Sequence, residues 1–524
     1  MEKSKVNRLF CSGYWLLIYF TVLFTALLLF YLPSFTNPPH VDYWEAFYTF
    51  HRADASPSPG SWVIILNHDP WQDGTFRPFS YLLLYLTHKV FGADFIGNHI
   101  FNFIIYCLVI MLLYCLARQL GLDGFLTGAF LAVYTFLFSH SDILSLTFHL
   151  FVIMSFSAFL LGFILYLKFM ATGKRILLIP ISLLFLFGMY CYEVYILWPL
   201  AVIILSHIPR GSEFPRFPRE KTPGVVWLML GMVYIFYSAG FLLSRSVGQI
   251  SGPLPEPVVS MVFSSFCSIC FNLFYNGILI NLMPFLAWSG RLGYWAEMGR
   301  VWKAGIPISL PSLITWVGVM MIIILALGGW ILYRRRQLRV LSLLAFFFFL
   351  YLCSFFVLSL GRVTNSNFGH LLVQFRYQFI PNALFIMMVL AVVDGLCRPG
   401  RKRRLITAFC LTPILIVNIC ISHKNIMMVR ENLRPLRLLL AELKEGIRTG
   451  VINKEDRIYI QPGITSYLPP LCWHKGVGKF IEEGTYEWYF PEGNINCFVF
   501  SREEAVWILD QPIGGYRKLS VMDE

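Results

Sequence analysis

The stretch KSKVNRLFCSGYWLLIYFTVLFTALLLFYLPSF, residues 3–35, decides the fold class. Lys3, Lys5 and Arg8 are followed, from Gly13 to Phe35, by a run without a single charged residue. A helix rises about 1.5 Å per residue, so such a run matches a hydrocarbon core of about 30 Å. The run is too long for the core of a cleaved signal peptide and no small-residue cleavage site follows it, so it reads as a retained first membrane helix. Runs of the same kind recur as far as His423, in a chain of 524 residues that is 57% hydrophobic and 14% charged, with a mean hydropathy of +0.65. Soluble domains carry roughly 25% charged residues. The composition therefore excludes a cytosolic enzyme and points to an α-helical polytopic membrane protein.

Charge orients the helices. Residues 1–423 hold 29 Lys and Arg against 15 acids, whereas 424–524 hold 13 against 14. Cytoplasmic loops are those enriched in Lys and Arg, and 20 of the 29 fall in clusters at the ends of apolar runs: 3–8, Arg118, 168–175, 210–221, 334–339 and 398–404. Membrane topology accounts for this charge, and no nucleic-acid partner is needed. An even number of crossings must separate the clusters at 210–221 and 334–339, yet three apolar runs lie between them (224–245, 259–288, 309–333). The middle run, with Asn272, Asn276, Asn281 and Pro284, is assigned to an interfacial or re-entrant path. About eleven spanning helices follow, the last over 404–423.

This divides the chain into a membrane domain, 1–423, whose first outer loop covers 36–98, and an extracytoplasmic segment, 424–524. The latter has balanced charge, a helical pattern around Leu433–Ile447 and strand-like runs at Arg457–Gln461 and Cys497–Ser501, which predict a small α/β domain. Ten of the 12 cysteines lie in or beside apolar runs, where Cys acts as a small buried hydrophobe. Cys472 and Cys497 are the two outside them.

Six of the 15 acids in 1–423 fall in the first outer loop: Asp42, Glu45, Asp54, Asp69, Asp73 and Asp94. In His40-Val-Asp42-Tyr43-Trp44-Glu45 the spacing of three puts both carboxylates on one face of a helical segment, just beyond the first membrane helix. A carboxylate held at the membrane surface is suited to act as general base on a hydroxyl. Tyr43 and Trp44 equally suit interface anchoring. Asp142 and Glu193 stand at outer helix ends in otherwise apolar sequence, where an ionisable group is costly and is a site candidate by default.

The stretches Asp69-Pro-Trp-Gln-Asp73-Gly-Thr-Phe-Arg77-Pro78 and His99-Ile-Phe-Asn102 resemble the first outer loop and second helix of the GT-C membrane glycosyltransferases. The nearest resemblance is to the branch holding the protein O-mannosyltransferases, the tetratricopeptide-bearing membrane proteins and their bacterial relatives. Phe138-Ser-His140-Ser-Asp142, Tyr192-Glu193 and Gln374-Phe-Arg376-Tyr377-x-x-x-Pro381 follow in that family's order. The departures are Tyr43 where a second adjacent acid is common, Tyr192 where a basic residue is usual, and a tail without tetratricopeptide repeats.

The resemblance implies an inverting transfer of a sugar from a polyprenyl-phosphate donor to an acceptor hydroxyl on the extracytoplasmic face. Asp42 matches the catalytic acid of the loop, with Glu45 beside it. Arg376 and Arg77, with Tyr377, would hold the donor phosphate, because Arg meets phosphate bidentately; the alternative for Arg77 is an ion pair within the loop with Asp69 or Asp73. His99, Asn102, Asp142, Glu193 and Asp73 are either sugar or acceptor contacts or helix-to-helix hydrogen bonds. The acceptor is a glycan, lipid or protein. No cofactor is expected and no metal-ligand spacing occurs, which leaves a divalent metal open. A bacterial inner membrane is expected, with the endoplasmic reticulum as the alternative. Two rival readings are a polysaccharide polymerase or ligase relying on Arg291 or Arg300, and a lipid-linked glycan flippase, although no internal repeat of the transporter kind is present.

Overall fold

The computed structural model describes residues 13–38, 46, 50, 53–54, 56, 60–66, 76–91, 95–145, 149–208, 223–246, 266–267, 269–284, 309–363, 378–397, 400–434, 437–438, 441, 445–446, 448–451, 456, 458–460, 488–490, 495–499, 506–509 and 516–518. Its helices in chain order are α1 (Gly13–Tyr31), α2 (Gly60–Leu66), α3 (Pro78–Phe91), α4 (Phe95–Gln119), α5 (Gly124–Thr135), α6 (Ser141–Ser145), α7 (Leu150–Thr172), α8 (Leu178–Cys191), α9 (Ala201–His207), α10 (Pro223–Ser246), α11 (Ser309–Arg334), α12 (Leu338–Val363), α13 (Phe379–Leu396) and α14 (Arg401–Asn432). Among the described residues, eight helices are long and apolar enough to cross a membrane, and nine if the bent pair α5–α6 is one span. The protein is thus an α-helical, multi-pass membrane protein.

Burial separates inner helices from outer ones. The apolar window of α7 is 78% buried and those of α4 and α13 are 61%, whereas α1, α11 and α14 reach only 22%, 17% and 17%. Helices that are apolar all round yet poorly covered by protein present those faces to lipid. The centre is therefore α7, packed on α4 and α8, with the α12–α13 pair beside it. The α7–α8 contact is close because each helix gives a glycine to an aromatic ring of the other. A Cβ on Gly162 would stand 2.5 Å from Phe185, and one on Gly188 would stand 2.5 Å from Phe159. Small residues allow this approach where no hydrophobic drive between helices exists.

The α5–α6 pair turns by 56°, and its freed backbone groups are met by side chains, as a bilayer requires. The amide of Phe138 donates to Asn418 Oδ1 (3.0 Å), and the Phe136 carbonyl accepts from Ser422 Oγ (3.3 Å). Asn418 also donates to the Asn281 carbonyl (2.8 Å), Asn281 to Asn382 Oδ1 (3.1 Å) and Asn382 to Ser139 Oγ (2.7 Å). A buried asparagine chain thus ties the bend to α13, α14 and the turn after the π-helix Leu273–Ile280. Within the run 259–288 the structure holds this π-helix continued by α-helical residues on either side, at 269–272 and 281–282.

Beyond α14, strands β1 (Ile458–Ile460), β2 (Trp488–Phe490), β3 (Ile495–Val499), β4 (Trp507–Leu509) and β5 (Tyr516–Lys518) form one sheet of order β2-β3-β1-β4-β5. β1 runs parallel to β3 and β4, and the two outer pairs are antiparallel.

Candidate functional site

The site grows from two chain breaks that meet. Helix α8 ends at Cys191, where Tyr192 turns extended (φ −155°, ψ 106°) and a short 3₁₀ turn, Glu193–Tyr195, begins. Helix α3 starts at Pro78, whose fixed φ and missing N–H suit a first helical position, so Arg77 stands at its mouth. Ser80 Oγ donates to the Cys191 carbonyl, pinning the start of α3 to the end of α8.

Arg77 and Glu193, 116 positions apart, form a side-on bidentate pair, Nε to Oε2 at 2.5 Å and Nη2 to Oε1 at 2.6 Å. The side chains are 22% and 18% exposed, so the pair sits largely out of water, where charge-assisted bonds are strongest. The guanidinium also lies 4.9 Å from the centre of the Tyr192 ring, a cation–π distance. Tyr192 therefore supplies a π face to Arg77. Among the described residues the carboxylate partner of Arg77 is Glu193; Asp69 and Asp73 lie outside them. Sequence spacing had no means of showing a pairing made by packing alone.

Beside the pair lies a groove of about 390 Å³ lined by Val63, Leu66, Phe76, Phe79, Tyr190 and Leu243, among others. Phe76 meets Tyr190 and Tyr237 edge-on, and the Tyr190 hydroxyl is held by the Phe236 carbonyl at 2.8 Å. Val63 and Leu243 are 43% and 68% exposed, on helices whose surroundings are apolar, so the groove opens toward hydrocarbon.

Parts of the segment between α1 and α3 fold back on α3. The Asp54 carboxylate accepts from Tyr85 Oη (2.5 Å) and Lys89 Nζ (2.7 Å), and Phe50 stacks on His88 with centroids 5.4 Å apart. Partial burial pushes the Asp54 carboxyl up, but the hydrogen bonds from Lys89 and Tyr85 outweigh it and leave it below the usual range. Lys89 is likewise lowered by burial and raised, net, by its bond to Asp54.

His99 and Asn102, one turn apart on α4, face the end of the first helix and the bend. His99 Nε2 lies 3.2 Å from the Asn37 carbonyl with Phe35 stacked on its ring, and Asn102 Nδ2 donates to the Ile143 carbonyl at 3.0 Å. His99 fastens the chain at the residues that lead into the Asp42 segment and Asn102 fastens α6, and among the described residues no hydrogen bond links either to the Arg77–Glu193 pair. Asp142 lies in α6, with its side chain outside the described atoms; Asp42, Glu45, Asp73, Arg376 and Tyr377 lie outside the described residues. Among the described residues no group of three or more His, Cys, Asp or Glu is placed to hold a metal ion.

The asparagine chain, Asn281, Asn382 and Asn418, was not singled out by sequence reasoning as a unit. The available signal was a polar amide within an apolar run, three times over, and Asn382 directly follows the Pro381 of the Arg376 motif. Fold and side chains together define a polytopic helical membrane protein with a paired, π-faced arginine beside an apolar groove. No protein-family model matches the chain, and no curated protein matches it.

Proposed function

We propose that the chain is an integral membrane glycosyltransferase of GT-C type, moving a sugar from a polyprenyl-phosphate donor to an acceptor hydroxyl with inversion. The observation that carries the reading is the Arg77–Glu193 pair, faced by Tyr192 and set beside an apolar groove. A lipid-linked phosphosugar needs both elements, a hydrocarbon path and a cation held at its head. In this reading the acceptor oxygen attacks the anomeric carbon, its proton passes to the Asp42 carboxylate, and the bond from that carbon to phosphate oxygen breaks. Arg376 and Tyr377, with Arg77 fixed in position by Glu193, meet the charge gathering on the departing phosphate. Glu45 shares the catalytic role with Asp42, while Asp73, Asp142, His99 and Asn102 contact sugar or acceptor hydroxyls or hold the loop in place. The acceptor is a glycan, lipid or protein, and no cofactor takes part.

The topology that goes with it has eleven crossings. Support comes from the eight long helices, the bent pair α5–α6, and the two apolar pieces 175–191 and 193–207, which lie between the basic clusters at 168–175 and 210–221. The basic turns then face the cytoplasm, and the reacting loop and the strand-bearing segment 424–524, as a small α/β domain, face outward, in a bacterial inner membrane.

The test incubates purified protein, wild type and Asp42→Asn, with a panel of polyprenyl-phosphate monosaccharides and a membrane extract, and reads products by mass spectrometry. Donor loss with a new glycosylated product in wild type, abolished in a variant that still folds and binds donor, is the expected result. Intact donors throughout, or an active variant, would overturn the reading in favour of a polymerase or flippase.

A further inference from the structure

The end of the bundle opposite the Arg77 groove carries three turns that the reading above does not use: α4–α5 (residues 118–123), α11–α12 (334–339) and α13–α14 (394–404). They are one surface. Arg339 Nη2 donates to the Leu120 carbonyl at 2.8 Å, joining the first two turns. Asp123, which also caps α5 by accepting from the Leu126 amide at 3.0 Å, pairs with Arg403 at 3.4 Å and Arg404 at 3.6 Å, joining the first and third. Arg403 is 7% exposed on its side chain and pairs again with Asp394 at 3.0 Å. Of the two aspartates of this surface, Asp123 is therefore engaged by Arg403 and Arg404, and Asp394 by Arg403. Arg118, Arg334, Arg335, Arg336, Arg401 and Lys402 remain exposed and form no ion pair among the described residues.

Two further observations point to a ligand rather than to charge alone. Arg336 adopts φ 55°, a left-handed conformation that disfavours a side-chain-bearing residue by roughly 1 kcal/mol and usually goes to Gly or Asn. The turn keeps an arginine there, closed by the Gln337 amide on the Leu332 carbonyl at 2.9 Å. One turn earlier, Trp330 and Tyr333 are 55% and 63% exposed, and the Arg334 guanidinium lies 4.7 Å from the Trp330 ring. Exposed aromatics of this kind mark the headgroup level of a bilayer, so the arginines stand where lipid phosphates are. Orienting a helix requires only positive charge; five of these six cations are arginine, whose planar fork matches a phosphodiester bidentately.

We propose that this surface binds the headgroup phosphates of anionic phospholipids, with Arg334, Arg335 and Arg336 as its centre and Arg401 and Lys402 at its edge. A zwitterionic headgroup brings its own ammonium against six cations and is disfavoured. The site is independent of the sugar-transfer reading and stands whatever the chemistry at the other end.

The test is native mass spectrometry of the full-length protein released from detergent after titration with phosphatidylglycerol or with phosphatidylcholine. Phosphatidylglycerol adducts should survive at lipid concentrations at least tenfold lower than phosphatidylcholine adducts. Substitution of Arg334, Arg335 and Arg336 together by Gln should weaken phosphatidylglycerol binding on the order of a hundredfold, from about fivefold per cation. Replacing exposed Lys174 and Arg175, on a different turn, should change it less than twofold. Should the triple variant not fold, Arg401→Gln with Lys402→Gln, both solvent-exposed, should lose about an order of magnitude. Equal affinity for the two lipids in wild type, or wild-type affinity in the variants, overturns the proposal.

Discussion

Replacing Glu193 by Gln leaves the Arg77 guanidinium without its bidentate carboxylate in a site about one-fifth exposed. Two charge-assisted hydrogen bonds, at 2.5 and 2.6 Å, are lost, each contributing about 1.5–3 kcal/mol before the cost of desolvation. Stranding a fully buried charge costs roughly 3–5 kcal/mol, and residual exposure lets water offset part of that here, so about 2–3 kcal/mol is expected. Arg77→Gln should cost a similar amount, because it strands the carboxylate and removes the cation from the Tyr192 face. The double variant leaves two neutral amides and no orphan charge, so it should cost about 1–2 kcal/mol, well short of the sum, a coupling of about 3 kcal/mol. Arg77→Lys keeps the charge without the fork and should fall between wild type and Arg77→Gln. The assay is unfolding of the purified protein in mixed micelles by increasing sodium dodecyl sulfate, followed by tryptophan fluorescence. Additive single-variant effects, or a Glu193→Gln variant as stable as wild type, would refute the inference that these groups act as one unit joining α3 to the end of α8.

Three other perturbations test the rest of the structure. Asn418→Leu removes the acceptor of the Phe138 amide, the donor bond to the Asn281 carbonyl and a bond within α14 to Ile414, and at about 0.6–1.7 kcal/mol for each of the two bonds that leave α14 it should destabilise by roughly 1–3 kcal/mol in the same unfolding assay. Gly188→Ala places a Cβ against Phe159 and should cost about 1–3 kcal/mol by overpacking; combining it with Phe159→Leu should recover most of the loss, measured as a thermal midpoint in detergent. The Asp54–Lys89 clasp, on side chains 35% and 49% exposed, is worth about 0.2–1 kcal/mol. The Asp54 carboxyl is lowered on folding, so its contribution is present above the unfolded pKa and lost as pH falls through the folded one; Lys89 is raised, so its contribution is present below its unfolded pKa and lost as pH rises through the folded one. Stability should therefore fall at both extremes in wild type, and Asp54→Asn should flatten this clasp's part of the profile in thermal melts across pH.

Much of the architecture was legible before any coordinates. The runs 224–245 and 309–333 correspond to α10 at Pro223–Ser246 and α11 at Ser309–Arg334, and the last helix extends past the predicted 404–423 to Arg401–Asn432. Helix ends move because charged residues such as Arg401 to Arg404 continue the backbone pattern beyond the hydrocarbon. The short pieces α8 and α9 are harder to read, since their break at Tyr192–Glu193 lies inside one apolar stretch and is made by packing rather than by a proline or glycine at the joint.

For the site, the residue types were visible and the pairings were not. Glu193 and Arg77 each stood out as an ionisable group in apolar sequence, yet one was assigned to a phosphate and the other to a sugar or to a helix contact. In the folded protein each is the other's counterion. His99 and Asn102 stood out by spacing, and the tertiary structure supplies their partners, two backbone carbonyls at positions 37 and 143.

The sequence by itself determined that this chain lives in a bilayer, where its helices run and which turns carry the basic charge. Those are local properties: with no water in the hydrocarbon, a segment must satisfy its own backbone, so about twenty apolar residues specify a helix without reference to any partner. Only the tertiary structure decided which helices are enclosed, where α5–α6 bends, and that Arg77 meets Glu193. Those outcomes depend on contacts from 23 positions apart, as between Gly162 and Phe185, to 280, as between Phe138 and Asn418, made by small residues, amides and rings whose hydropathy carries no record of the neighbour they will meet.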